Sequence, residues 1–73
     1  MSDLRQELID ASIAHFQGCI KKHKVNLEVM LNNAVGVAEH PDLMDSIDKE
    51  LGLIAEYDDK LSVLYKYFSN GIQ

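Results

Sequence analysis

From Ile9 onward, apolar residues recur in alternating steps of three and four: Ile13, Phe16, Ile20, Leu27, Met30 and Ala34, with His23 filling the one gap. That period marks one face of an α-helix. Nearly opposite runs a second, weaker stripe made of Leu4, Leu8, Ala11, Gly18, Val25 and Val29. A helix that is apolar on two sides needs two sets of neighbours. Past a break at Asn32, Asn33 and Gly36 the periodicity resumes as a broad stripe: Leu43, Met44, Ile47, Leu51, Ile54, Tyr57, Leu61, Leu64, Tyr65 and Phe68. Glu50 and Asp58 interrupt this second stripe, and Leu53, Ala55 and Val63 lie to its sides.

The boundaries follow from terminal chemistry. Ser2 or Asp3 opens the first helix, and Asp3 with Gln6 has capping-box spacing, so that each side chain satisfies backbone N–H groups at the helix start. The first helix is expected over about residues 3–32. Asn and Gly tolerate the left-handed conformation that ends a helix, which places the stop at Asn32, Asn33 and Gly36. The connection spans about 33–40, a usual length between antiparallel helices. Pro41 starts the second helix, because a first-turn residue has no use for the missing N–H. Asp42 and Asp45 then sit at the positive end of the helix dipole. Asn70-Gly71 closes a helix expected over about 41–69.

The fold class predicted is all-α: residues 1–73 as a single antiparallel two-helix hairpin. One seam covers one stripe on each helix and leaves the second stripe of the first helix wet, together with part of the broad face of the second. Two hairpins pairing around a two-fold axis as a four-helix bundle would cover both, so a homodimer is expected. Its interface is assigned to Leu4, Leu8, Ala11, Gly18, Val25 and Val29. Gly18, at the middle of that stripe, either lets another backbone approach closely or is merely tolerated.

Composition narrows the function classes. Seventy-three residues are near the lower limit for folding alone, and the single cysteine provides no internal disulfide. An apolar fraction of 47% is too high for a disordered chain. The net charge of −5 disfavours general nucleic-acid binding and adhesion to anionic membranes. No apolar run approaches the ~20 residues of a membrane span, and the opening Met-Ser-Asp-Leu-Arg-Gln-Glu-Leu lacks a signal-peptide layout. A cytoplasmic protein is therefore expected. Its acidity belongs to the second half, where residues 39–59 carry eight acids against Lys49.

Polar residues in apolar places carry the candidate chemistry. Folding about Gly36 sets residues whose numbers total roughly 73 opposite each other, which pairs His23 with Glu50 and His15 with Asp58. A histidine–carboxylate pair in a seam satisfies both groups and fixes alignment. The same pair also makes a pH-sensitive contact. His15, Cys19 and His23 stand at i, i+4 and i+8 and form a candidate metal site for a soft or borderline ion, with Glu50 or Asp58 completing it. The helix turns ~40° between successive members, which works against convergence of all three. A small buried cysteine beside two paired histidines is the alternative.

Asp42, Asp45 and Asp48, followed by Glu56 and Asp59, offer carboxylates at helical spacing. Magnesium-dependent all-α nucleotide phosphohydrolases hold their metal with Glu-x-x-Glu and Glu-x-x-Asp pairs. The longer glutamates are mostly missing here, as is a basic constellation for phosphate, so a solvated outer face is the expectation. Glycine-rich phosphate loops and nucleophile–base pairs are also missing, and no enzyme activity and no cofactor are expected. Lys21, Lys22, His23 and Lys24 form the basic cluster, which lies near Asp45, Asp48 and Glu50 and has no interleaved aromatics, so nucleic acid is not the expected partner. Tyr67, off the main stripe, is the aromatic most expected to be an exposed contact.

The texture of MSDLRQELIDASIAHFQGCIKKHKVNLEVMLNN followed by IAEYDDKLSVLYKYF resembles small helical proteins of tailed phages that infect cyanobacteria. The resemblance carries no catalytic motif and transfers no site residues. It implies expression in an infected host cytoplasm and an accessory or regulatory role with a host or phage protein as partner. The function expected is a non-enzymatic, self-associating protein–protein interaction module. A metal-binding bundle using His15, Cys19 and His23 is the alternative, and a magnesium-dependent all-α nucleotide phosphohydrolase using the acids of the second helix is the third reading.

Overall fold

The computed structural model describes residues 3–32 and 41–68. Among these residues there are two helices, α1 over Leu4–Asn32 and α2 over Pro41–Phe68, and they pack against each other as a hairpin. Ser2, Asn33, Ala34, Gly36, Ser69, Asn70 and Gly71, to which the sequence assigned caps, stops and one stripe position, lie outside the described residues.

The α1 start is half of the expected capping box. The Arg5 N–H donates to Asp3 Oδ1 at 3.1 Å, and the Glu7 N–H closes the first helical turn on the Asp3 carbonyl at 2.9 Å. The Gln6 amide turns the other way and donates to Asp10 Oδ1 at 2.9 Å. Gln6 thus supports the helix as an i, i+4 side-chain pair and not by reaching back to the cap.

The stronger stripe of α1 faces α2. Ile9 is buried, and Ile13, Phe16, Ile20, His23, Leu27 and Met30 are half-buried. From α2 the seam takes Leu43, Ile47, Glu50, Leu53, Ile54, Tyr57, Leu61 and Leu64. The broad α2 stripe divides here, because a single partner helix covers only part of it. Leu53 turns into the seam, whereas Met44, Leu51, Tyr65 and Phe68 stay exposed.

Interhelical contacts hold one register. Arg5 reaches Phe68, Phe16 meets Tyr57, and His23 meets Glu50, and each pair of residue numbers totals 73. The expected pairing of His23 with Glu50 is present. His15 instead sets its ring against Tyr57, next in sequence to the expected Asp58, which is exposed.

The result is a rod of 57 × 19 × 17 Å with a radius of gyration of 16.5 Å, against about 11 Å for a compact globule of this length. Its thinness sets the energetics. Ile9, at 7% exposure, is the one fully buried apolar side chain among the described residues. Half-burial along a single seam leaves little surplus over the conformational entropy lost on ordering two long helices.

Candidate functional site

Two polar clusters and one apolar surface emerge from this register. The first cluster lies within the seam. His23 Nδ1 and Glu50 Oε1 are 2.6 Å apart, with side chains only 12% and 14% exposed. The Asn26 amide donates to the same Glu50 oxygen at 3.4 Å. The hydrogen bond from His23 holds the Glu50 carboxyl below its ordinary 4.5, against the opposing pull of burial and with help from Asn26 and the nearby Lys22 charge.

Tyr57 joins this cluster to the second. Its ring stacks on His23 with centroids 6.1 Å apart and planes 6° from parallel, and it meets the His15 ring edge-on at 6.3 Å. Phe16 packs at 6.1 Å, and Lys60 Nζ stands 5.3 Å from the ring centroid. The Cys19 thiol, by its charge when ionised and as a hydrogen-bond partner, pushes the Tyr57 hydroxyl above its ordinary 10.0. The sequence placed Tyr57 only within the broad apolar stripe of the second helix. The available signal was the register itself, which sets residues 15, 16, 19 and 23 around position 57.

Cys19 Sγ lies 3.7 Å from His15 Nε2 and 4.0 Å from Nδ1. Of the three residues proposed as metal ligands, the fold brings two together and commits His23 Nδ1 to Glu50. Among the described residues, no three His, Cys, Asp or Glu side chains gather where an ion could be held. That also covers Asp42, Asp45, Asp48 and Asp59, which are exposed, and Glu56, which accepts from Lys60 Nζ at 2.8 Å. The Glu56 hydrogen bond raises the Lys60 ammonium above its ordinary 10.5.

The apolar surface is the second stripe of α1. Leu4 is 69% exposed, Leu8 59%, Val25 53% and Val29 55%, with Ala11 and Gly18 exposed between them. A methyl group added at Gly18 would meet nothing within 4 Å, so within one hairpin the position stands in open space. Near the chain termini the stripe runs into a groove of about 480 Å³ lined by Leu4, Leu8, Ile9, Ser12, Leu64 and Phe68. A second groove of about 360 Å³ adjoins it across Ser12, Leu64 and Phe68 and continues toward Phe16 and Val63.

No protein-family model, curated protein or solved structure matches the chain. Neither described helix is long and apolar enough to cross a membrane.

Proposed function

We propose that the protein is a non-enzymatic helical interaction module that pairs with a second copy of itself through the outer face of α1. The observation that carries this reading is the exposure of Leu4, Leu8, Val25 and Val29 along one side of a helix whose opposite face is already used. Patches of that extent on small proteins mark interfaces.

Area supports the same reading. The chain exposes 5646 Å², whereas a compact monomer of its mass exposes about 4,500 Å². The difference of roughly 1,100 Å² is of the size that one partner gives up in a stable dimer, about 800 Å². A two-fold pairing of hairpins closes on itself as a four-helix bundle and leaves no repeating surface open. The resemblance to small phage proteins extends the proposal to an accessory or regulatory role in a host cytoplasm, with a host or phage protein engaged by the assembled bundle.

Sedimentation equilibrium of the full chain tests the pairing. Twice the chain mass is expected at micromolar concentration, falling to the single mass in the double variant Leu8→Lys/Val25→Lys. A single mass for the unaltered chain across that range would overturn the proposal.

A further inference from the structure

We propose that the His23–Glu50 pair is an acid-operated latch: protonation of Glu50 parts the half of the seam beyond the pair, toward the interhelical connection, while the half nearer the termini stays closed. The latch works within one hairpin and does not rest on self-association.

The two halves of the described seam are unequal. On the terminal side, Ile9, Ile13, Phe16 and Ile20 face Ile54, Tyr57, Leu61 and Leu64, and Arg5 ties the end of α1 to the last residue of α2. On the connection side the described seam holds Leu27 and Met30 from α1 with Leu43 and Ile47 from α2, all only half-buried. Among the described residues, that half has less apolar surface to close it. It therefore depends more on the polar pair at its boundary.

The charges around the pair make acid the trigger. From α1, Lys22 and Asn26 face the Glu50 carboxylate, and Lys21 and Lys24 lie within two residues of His23 in sequence. From α2, Tyr57 stacks on the His23 ring and Lys49 adjoins Glu50 in the chain. Glu50 is thus the carboxylate seated at the seam against a four-residue basic run. Once it is neutral, a histidine carries a proton at the same acidity. The seam then holds the His23 ring without the carboxylate charge that faced it, next to three lysines. Removing one partner of a buried pair is far more costly than removing both. The geometry sets the direction, and the depressed Glu50 pKa agrees with it. The pair's contribution is fully present above the ordinary glutamate value of 4.5 and is lost as pH falls through the lower folded value. Opening exposes Leu27, Met30, Leu43 and Ile47 as new apolar surface.

Methyl-resolved NMR of the full chain, titrated from about neutral pH to about 3, tests the latch. In the unaltered protein the Leu27, Met30, Leu43 and Ile47 methyls should shift together with a midpoint below 4.5, while Ile9, Ile13 and Leu64 hold their positions. Glu50→Gln imitates the protonated acid and should show the shifted positions already at about pH 5, where an ordinary imidazole is charged, with the terminal half intact. The double variant His23→Leu/Glu50→Leu removes both charges, keeps the seam apolar and should show no acid response. Loss of both halves at one midpoint overturns the proposal. So does complete unfolding of Glu50→Gln, or an acid midpoint that persists in the double-leucine variant.

Discussion

Arg5, in the first turn of α1, donates through Nη2 to the carbonyl oxygen of Phe68, the last residue of α2, at 3.0 Å. A helix ends with backbone carbonyls that have no partner within it, and its negative dipole end favours a cation. Arg5 supplies both a donor and a charge from the other helix. Arg5→Ala is therefore expected to fray the terminal end of the hairpin and to cost up to ~1 kcal/mol. Amide exchange should quicken in residues 64–68 more than in 43–47. Equal change in both segments would deny the contact its local role.

Ile9 is the described side chain most withdrawn from water. Its truncation to alanine removes apolar burial where the rod has little to spare, and about 2–3 kcal/mol of stability should go with it. Leu31→Ala, at a position 54% exposed on the same helix, should change stability by less than ~0.5 kcal/mol. Urea unfolding of the two variants under the same conditions provides the comparison.

Gly18 separates two energies in one substitution. Within a hairpin an alanine methyl meets open space, so Gly18→Ala should stabilise α1 by about 0.5–1 kcal/mol through helix propensity alone. Where a second copy packs closely on that face, the same methyl weakens association. Thermal melts at low concentration are expected to rise while the dimer dissociation constant increases. A higher melting temperature with unchanged association would place the intermolecular contact elsewhere on the stripe.

Alkali should loosen the centre of the seam. The Tyr57 hydroxyl is raised above 10.0, chiefly by the Cys19 charge, and the Lys60 ammonium is raised above 10.5, chiefly by its hydrogen bond to Glu56. A raised folded pKa contributes stability that is complete below the unfolded value and is lost as pH rises through the folded one, for the phenol and the ammonium alike. Stability is thus expected to decline above about pH 10. Tyr57→Phe should shift that decline, and tyrosinate absorbance lost in that variant should identify the component that ionises above the ordinary 10.0.

His15 and Cys19 stand as two donors at a separation a zinc ion can bridge. Tetrahedral bonds of ordinary zinc–nitrogen and zinc–sulfur length put the two atoms on the order of 3.5 Å apart, and the observed distance is 3.7 Å. Two donors without a third give weak binding. Zinc titration is expected to show a weak site lost in His15→Ala and in Cys19→Ser, and unchanged in His23→Ala, whose ring is committed to Glu50. Strong binding that His23→Ala abolishes would restore the three-residue site suggested by spacing alone.

The pairing of His23 with Glu50 was legible because each residue breaks an otherwise apolar period, and a hairpin allows one register in which the breaks meet. The two faces of α1 were legible for the same reason, since helical period assigns every residue to a side. The partner of His15 was not. His15 and Asp58 satisfy the same register, yet a histidine at the edge of the seam finds more contact with the flat ring of Tyr57 than with a carboxylate that water already solvates. Helical period also could not divide the wide α2 stripe. Which of Leu51 and Leu53 turns inward depends on the rotation of one helix against the other, which only packing decides.

The constant total of 73 across Arg5–Phe68, Phe16–Tyr57 and His23–Glu50 has a consequence for how copies recognise each other. Each of these contacts joins α1 to α2, so an α2 from another chain satisfies them as well as the chain's own. Two chains that exchange helices would preserve every bond of the seam and differ only in the path of residues 33–40. The choice between a folded-back chain and an exchanged pair then rests on the effective concentration that this short connection imposes, measured against the concentration of the protein itself. In an exchanged pair the hairpin's own seam would serve as the interface between copies.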